Sequence, residues 1–169
     1  DELVPWISKY SNTQNKVSAA DLSANDPFHI ALEEMSRTIW APAAEGSQRQ
    51  SQWFYERARG EYNDEQARAG NRTDQKKFKL THPTTQRFTK TDLAKFENSY
   101  RCLPHEVSLG AQKNFGKLAQ IIGADWEKKK DSYDETWFKR LIAKAIIFRN
   151  LEKVVPQQEW YTGGYRANI

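Results

Sequence analysis

One short run of the sequence combines side chains that could hold an anion. The run is Trp53-Phe54-Tyr55-Glu56-Arg57-Ala58-Arg59-Gly60-Glu61-Tyr62. If it is extended, alternate side chains lie on one face, and the odd positions group two aromatic rings with two arginines. These four are Trp53, Tyr55, Arg57 and Arg59. Arginine holds phosphate through two parallel hydrogen bonds and aromatic rings stack on bases, so the run predicts association with DNA or RNA.

Two carboxylates in the same run allow other interpretations. Glu56 and Glu61 lie beside the arginines, and opposite charges so close in sequence often pair in a purely structural cluster. Together with Asp64 they could instead offer oxygen ligands to a divalent metal in a nuclease or a nucleotide-acting enzyme. Their spacing matches no known metal motif. We therefore expect no metal and no cofactor, and whether the chain is an enzyme stays open from the sequence.

Two further polar groups are candidate binding residues. A turn near the N-terminus supplies neutral donors and acceptors from Asn12, Gln14 and Asn15. Such side chains recognise polar ligands without a charge cost, but they also cap turns. Lys76, Lys77 and Lys79 form a short basic run, and Lys76 and Lys77 extend the predicted nucleic-acid surface, although runs of this kind are more often a solvated edge.

Other kinds of chemistry have little support in the sequence. His29, His82 and His105 are far apart, and no pair has the spacing of metal ligands. Cys102 is the single cysteine, which excludes a disulfide within the chain, and we expect a buried, inert thiol. No glycine-rich loop has the spacing that holds phosphates.

The elements that position these residues are predicted to be mainly helical. Asp26 and Pro27 mark a helix start, and Thr89 or Thr91 marks another. Further helices begin near residues 108 and 131. Short strands near residues 51–62 and 76–90 give a minor β component, and the polar stretch 63–77 reads as an exposed, mobile loop. The predicted fold class is mainly α, a multi-helix globular domain.

Length and charge are consistent with this class. The 169 residues suit a single domain over 1–169. The net charge is +4, and residues 45–101 carry twelve basic and eight acidic side chains, which permits contact with nucleic acid. No apolar run approaches the roughly 20 residues of a membrane span, and the start lacks the features of a signal peptide. The expectation is a cytoplasmic protein without a membrane partner.

Several strings resemble those of the abortive infection phage resistance (AIPR) family. They are SNTQNKVS at 11–18, DLSANDP at 21–27, WFYERARGEY at 53–62, FTKTDLAK at 88–95 and GGY at 163–165. The resemblance implies bacterial antiphage defence, often encoded beside restriction–modification genes. Family proteins are longer, and this chain has no initiator methionine, so we expect an internal or C-terminal fragment whose other domains are its partners. An upstream segment loosely similar to ParB-like nucleotide-handling folds is absent here, and no catalytic residues are transferred.

Three hypotheses follow from the residues and the resemblance together. The first is a nucleic-acid-associated module of a bacterial defence protein. The second is a protein-interaction or structural region of a larger defence protein. The third is a metal-dependent nuclease or nucleotide-acting enzyme. The first is the interpretation that the basic excess and the arginine–aromatic run favour.

Overall fold

The computed structural model describes residue 20 and residues 23–43 and 48–163, and over this part the chain is mainly helical. The α-helices are α1 (Pro27–Thr38), α2 (Glu61–Arg68), α3 (Arg72–Thr81), α4 (Lys90–Tyr100), α5 (Pro104–Ser108), α6 (Ala111–Lys129) and α7 (Glu135–Val154). The strands are β1 (Trp40–Ala41), β2 (Ser51–Gln52), β3 (Phe54–Glu56) and β4 (Arg87–Thr89). The predicted class, mainly α with a minor β component, is confirmed.

The strands form two small sheets. β1 and β2 are antiparallel, with Trp40 opposite Gln52. β3 and β4 are parallel, with Tyr55 opposite Phe88. Parallel strands need a long crossover connection, and α2 and α3 provide it here. The two helices are therefore held against the strand pair that carries the arginine–aromatic run.

Side-chain caps mark the starts of α4 and α7, whereas the start of α1 has none. α4 begins with a capping box, in which Thr89 Oγ1 accepts the Asp92 N–H at 3.2 Å and Asp92 Oδ2 accepts the Thr89 N–H at 3.0 Å. Asp134 caps α7 through the Trp137 N–H at 2.8 Å. Asp26 precedes Pro27 at the start of α1 as predicted, but its side chain caps no amide.

The core lies where α4 packs against α6 and α7, with α1 and β3 beside them. Its fully buried residues include Leu32, Phe88, Leu93, Leu118 and Leu141. Burial of apolar side chains on this scale is the main driving force for folding. In the part of the chain that the structure describes, no helix is long and apolar enough to cross a bilayer.

The stretch predicted as a mobile loop is folded into α2 and α3. This prediction was wrong, and the β structure predicted near 76–90 is limited to β4, because residues 78–80 belong to α3. Asn71 begins α3 by accepting the N–H groups of Thr73 and Asp74 at 2.9 and 3.1 Å. Two aromatic residues then anchor the polar helices, because Tyr62 and Phe78 pack on each other with ring centroids 5.2 Å apart. So few apolar positions give no clear helical period in the sequence.

Cys102 is exposed, which corrects the prediction of a buried thiol. Its backbone φ is +58°, in the left-handed region, at the point where α4 ends. The Leu103 N–H reaches back to the Asn98 carbonyl at 2.9 Å, which is the bond pattern that closes many helices. The position is dictated by helix termination rather than by packing.

Candidate nucleic-acid interface

The two aromatic residues of the predicted interface are buried. Trp53 is 6% exposed and Tyr55 is fully buried, because α1 packs on β3 from one side while Tyr62 and Phe78 pack on Phe54 from the other. The Trp53 ring packs against Phe88 at a centroid distance of 6.1 Å. The Tyr55 hydroxyl is 2.6 Å from Nδ1 of His29. A strand covered on both faces offers no ring to a base, so the predicted stacking at these two residues is corrected to a role in the core.

Arg57 follows β3 and is committed to contacts inside the protein. Its Nε donates to Glu33 Oε2 at 2.5 Å, and its Nη1 donates to the Ala24 carbonyl at 2.8 Å and to Asn25 Oδ1 at 3.2 Å. The guanidinium therefore joins the turn after β3 to α1 and to the turn before α1. The sequence suggested Glu56 and Glu61 as neutralising partners, but the partner is Glu33, 24 residues upstream.

Glu56 and Glu61 hold the turn between β3 and α2. Glu61 Oε2 accepts the Arg57 N–H at 2.8 Å, and Glu56 Oε1 accepts the Gly60 N–H at 2.6 Å. Gly60 has φ +86°, a conformation that glycine adopts without strain. Glu56 Oε2 lies 3.5 Å from Arg87 Nε. Both carboxylates thus satisfy backbone donors that the tight turn leaves unpaired.

Three carboxylates come together in a geometry that could hold a metal ion. They are Glu33, Glu61 and Glu65, whose nearest oxygens lie within 4.8 Å of one another. Arg37 Nη2 lies 3.7, 3.9 and 3.0 Å from these three groups in the same order. The guanidinium therefore supplies the positive charge that the cluster needs. The metal-dependent enzyme hypothesis gains no support from this cluster, and Asp64 is not part of it.

The carboxyl groups of Glu61 and Glu33 titrate differently. Burial and the hydrogen bond with Glu33 raise the pKa of Glu61 to about 7. Burial alone would raise the pKa of Glu33, but its hydrogen bonds with Glu61 and Arg57 outweigh burial and lower that pKa. A proton between the two groups therefore resides on Glu61, and Glu33 keeps the charge that faces Arg57.

Arg59 lies at an open cleft between the turn after β3 and the start of α4. The cleft has a volume of about 160 Å³ and is lined by Glu56, Arg57, Thr89, Lys90 and Gln112 besides Arg59. Arg59 is exposed, whereas Lys90 is 5% exposed and its Nζ donates to the Ala20 carbonyl. Of the two arginines in the predicted interface, Arg59 is the one that faces solvent.

The basic residues of α3 form a second surface. Arg72, Lys76 and Lys79 follow one another at i, i+4 and i+7 and therefore share one helix face. All three are exposed, and none makes an ion pair or a hydrogen bond with the described residues. Lys77 points elsewhere and pairs with Asp74 at 3.3 Å. Within the described chain this face is a row of cations without countercharges.

A shallow groove runs along this row. It has a volume of about 170 Å³, and Gln66 of α2 and Gln75 of α3 complete its lining with the three cations. Amide side chains beside cations add hydrogen-bond donors suited to phosphate oxygens. The sequence identified the run Lys76, Lys77 and Lys79 but missed Arg72, because the face that Arg72 shares with Lys76 and Lys79 exists only once the stretch is a helix.

Three other predicted site residues lie outside the described part of the chain. These are Asn12, Gln14 and Asn15. Sequence reasoning also missed Glu33 and Arg37, which carry the ion-pair network around Glu61. Their spacing of four residues on one helix was a usable signal for mutual pairing, but nothing local indicated that the network reaches across to Arg57.

Fold and surface together define a mainly helical module with an internal arginine–carboxylate network and a basic helix on its surface. The model of the AIPR protein family matches residues 1–169. The chain therefore belongs to the AIPR family, a family of abortive infection and phage defence. Comparisons with curated proteins and with solved structures give no match.

Proposed function

We propose that this AIPR protein associates with nucleic acid through the basic face of α3, and that this association serves phage defence. The observation that carries the proposal is the row formed by Arg72, Lys76 and Lys79, whose charges have no partner among the described residues. By contrast, the half-buried Arg57 is paired inside the protein with Glu33. Unpaired cations gathered on one face have electrostatic energy to gain from a polyanion.

The spacing of the row favours a phosphate backbone over a single small anion. Seven residues of helix separate Arg72 from Lys79, a length of about 10 Å along the axis. Charges spread over this distance match successive phosphates of one strand. Lysine and arginine contacts to phosphate position a protein without reading the sequence, so the proposed binding is independent of base sequence.

The test is fluorescence anisotropy with labelled duplex DNA and with labelled single-stranded RNA at 50 and 200 mM salt. The three contacts of the row should contribute about −2.7 to the slope of log affinity against log salt on duplex DNA. The triple variant Arg72→Ala, Lys76→Ala, Lys79→Ala should lower affinity at least about tenfold and make this slope less negative by about 2.7.

A matched control removes the same charge from other helices. It replaces Arg140, Lys113 and Lys153, which are exposed and have no ion pair with the described residues. The control should keep the wild-type slope. No binding of either nucleic acid at 50 mM salt, or equal losses in the two triple variants, would contradict the proposal.

Arg59 is a second proposed contact. Its exposed side chain lies at the cleft beside α4. Arg59→Ala should weaken nucleic-acid binding about threefold and make the slope of log affinity against log salt less negative by about one. Arg57 contributes through folding rather than through contact, because its guanidinium is held by Glu33 and by the Ala24 carbonyl.

A second candidate function, docking of a protein partner, is favoured by one specific observation. The C-terminal half of α7 exposes an apolar stripe formed by Ile147, Leu151 and Val154 at i, i+4 and i+7, with exposures of 58, 42 and 52%. Apolar faces of this kind suit protein interfaces. We propose the remaining domains of the full-length defence protein as the occupant.

The two functions predict different results in cells. Ile147→Lys with Leu151→Lys in the full-length protein should reduce phage resistance in a plating assay while leaving nucleic-acid affinity of the 169-residue chain unchanged. The α3 triple variant should reduce both. Unchanged plating efficiency with the α7 variant would contradict docking at this stripe.

A further inference from the structure

A separate cleft lies between the start of α1 and the middle of α6. Its volume is about 210 Å³. Most of its walls are apolar or aromatic, and they include Phe28, Phe115, Leu118, Ile122 and Trp126. A cavity of about 150 Å³ with comparable walls is large enough to hold benzene. This cleft therefore has room for one ring system.

His29 lines the cleft, and only one of its two ring nitrogens, Nδ1, makes a hydrogen bond with the described residues. Its side chain is 3% exposed, and Nδ1 lies 2.6 Å from the Tyr55 hydroxyl oxygen. Burial lowers the pKa of His29 to about 3 and raises that of Tyr55, so both groups are neutral near pH 7. Tyr55 makes no other hydrogen bond through its hydroxyl to the described residues, so its O–H donates to Nδ1.

This donation fixes the tautomer of the imidazole. With Nδ1 accepting, the ring proton of neutral His29 is on Nε2. Nε2 makes no hydrogen bond to any residue that the structure describes. Since His29 lines the cleft, this N–H is available to donate to an acceptor atom of a ligand bound there.

Gly123 leaves space in the cleft, although glycine lowers the stability of α6. Glycine inside a helix is less favourable than alanine, yet among the described atoms none lies within 4 Å of the position that a Cβ of Gly123 would occupy. The packing of this part of the chain does not require a glycine there. Gly123 lines the cleft, so a methyl group at this position would narrow it.

The rim of the cleft is acidic. Asp26 and Glu127 line it, and both are exposed. Two carboxylates at the entrance repel anions and favour neutral or cationic ligands. We propose that the cleft between α1 and α6 binds a neutral or cationic planar ring whose acceptor atom takes the hydrogen bond from Nε2 of His29. A phosphorylated ligand would meet the acidic rim, so this site is distinct from the nucleic-acid surface on α3.

Isoquinoline is a suitable probe, since it is planar, uncharged at pH 7.5 and has a single ring acceptor. Added to the ¹⁵N-labelled 169-residue chain, it should shift the Trp126 indole N–H and the His29 Nε2 signals with saturation and a dissociation constant below about 1 mM. Indole, which has a donor and no comparable acceptor, should bind at least about fivefold more weakly. Isoquinoline-3-carboxylate should also bind more weakly, and most clearly at low salt.

Two alanine variants on the same helix make the test specific. Gly123→Ala should weaken isoquinoline binding about tenfold or more and raise the melting temperature. Gly116→Ala is the control, because Gly116 is also inside α6 with open space around it but does not line the cleft. It should raise the melting temperature without changing the affinity.

His29→Phe tests the hydrogen bond itself and should remove the preference for isoquinoline over indole. If that variant fails to fold, the isoquinoline affinities of the Gly123→Ala and Gly116→Ala variants still test the proposal. Absence of a saturable shift up to 5 mM isoquinoline, or equal affinity in the Gly123→Ala and Gly116→Ala variants, would overturn the proposal.

Discussion

At the scale of single residues, Arg57 illustrates how one long-range partner changes the role of a side chain. Its guanidinium connects Glu33 of α1 with the Ala24 carbonyl and the turn after β3. Replacing Arg57 with alanine leaves a half-buried carboxylate and a carbonyl without their donor. We expect a loss of about 1–3 kcal/mol in the free energy of unfolding, measured by urea denaturation. Arg72→Ala, which removes an exposed arginine with no partner among the described residues, should change it by less than about 0.5 kcal/mol.

Glu61 gives the stability of the protein a pH dependence. Its pKa rises from 4.5 to about 7 on folding, so between these values the folded state holds more protons than the unfolded state. The stabilisation from this group is complete below pH 4.5 and is lost as the pH rises through 7. The lowered pKa of Glu33 acts in the opposite direction, and so does that of His29, whose contribution is lost as the pH falls from 6.5 towards 3.

The contribution of Glu61 is isolated by comparing Glu61→Gln with the wild type. Glutamine resembles the protonated carboxyl but does not titrate, so the stability of the variant relative to the wild type should increase from pH 5 to pH 8. Urea denaturation at pH 5, 6.5 and 8 measures this difference. A difference between Glu61→Gln and the wild type that stays constant over this pH range would disprove the assignment.

At the scale of elements, the seam between α4 and α6 depends on a buried amide pair. Asn98 Nδ2 donates to the Asn114 carbonyl at 3.0 Å and to its Oδ1 at 2.7 Å, and both residues are essentially fully buried. Asn98→Ala should cost about 2–3 kcal/mol, because it leaves the acceptors of Asn114 buried without a donor. The double variant with Asn114→Ala should cost less than the sum of the two single variants, by about 1 kcal/mol. Strict additivity in urea denaturation would show that the two amides do not act together.

The helices differ in how far the sequence predicted them. The starts of α1 and α4 were predicted from Pro27 and Thr89, whereas α7 was predicted to begin near residue 131 and begins at Glu135, capped by Asp134. α2 and α3 were predicted as a loop, because their residues are mostly polar. Tyr62 and Phe78 provide aromatic contacts with the body of the protein by packing on Phe54. The basic face that carries the proposed function is therefore visible only after the helix is known.

At the scale of the whole molecule, the parallel pairing of β3 with β4 joins the N-terminal part of the described chain to the C-terminal helices. Arg149 of α7 adds a second connection by donating to the Arg87 carbonyl of β4 at 2.5 Å. Because these contacts span the sequence, we expect a single cooperative unfolding transition, with coincident curves from tryptophan fluorescence and far-ultraviolet circular dichroism. Two separated transitions would mean that the chain contains two independent folding units.

The sequence by itself determined the mainly helical class, the starts of α1 and α4 and the resemblance to the AIPR family, because apolar periodicity, caps and family strings are properties of neighbouring residues. The tertiary structure decided which residues remain available for binding. It buried Trp53 and Tyr55 by covering β3 on both faces, and it paired Arg57 with Glu33 of a distant helix. Burial and long-range ion pairs depend on which elements meet in space, and local sequence patterns do not contain that information.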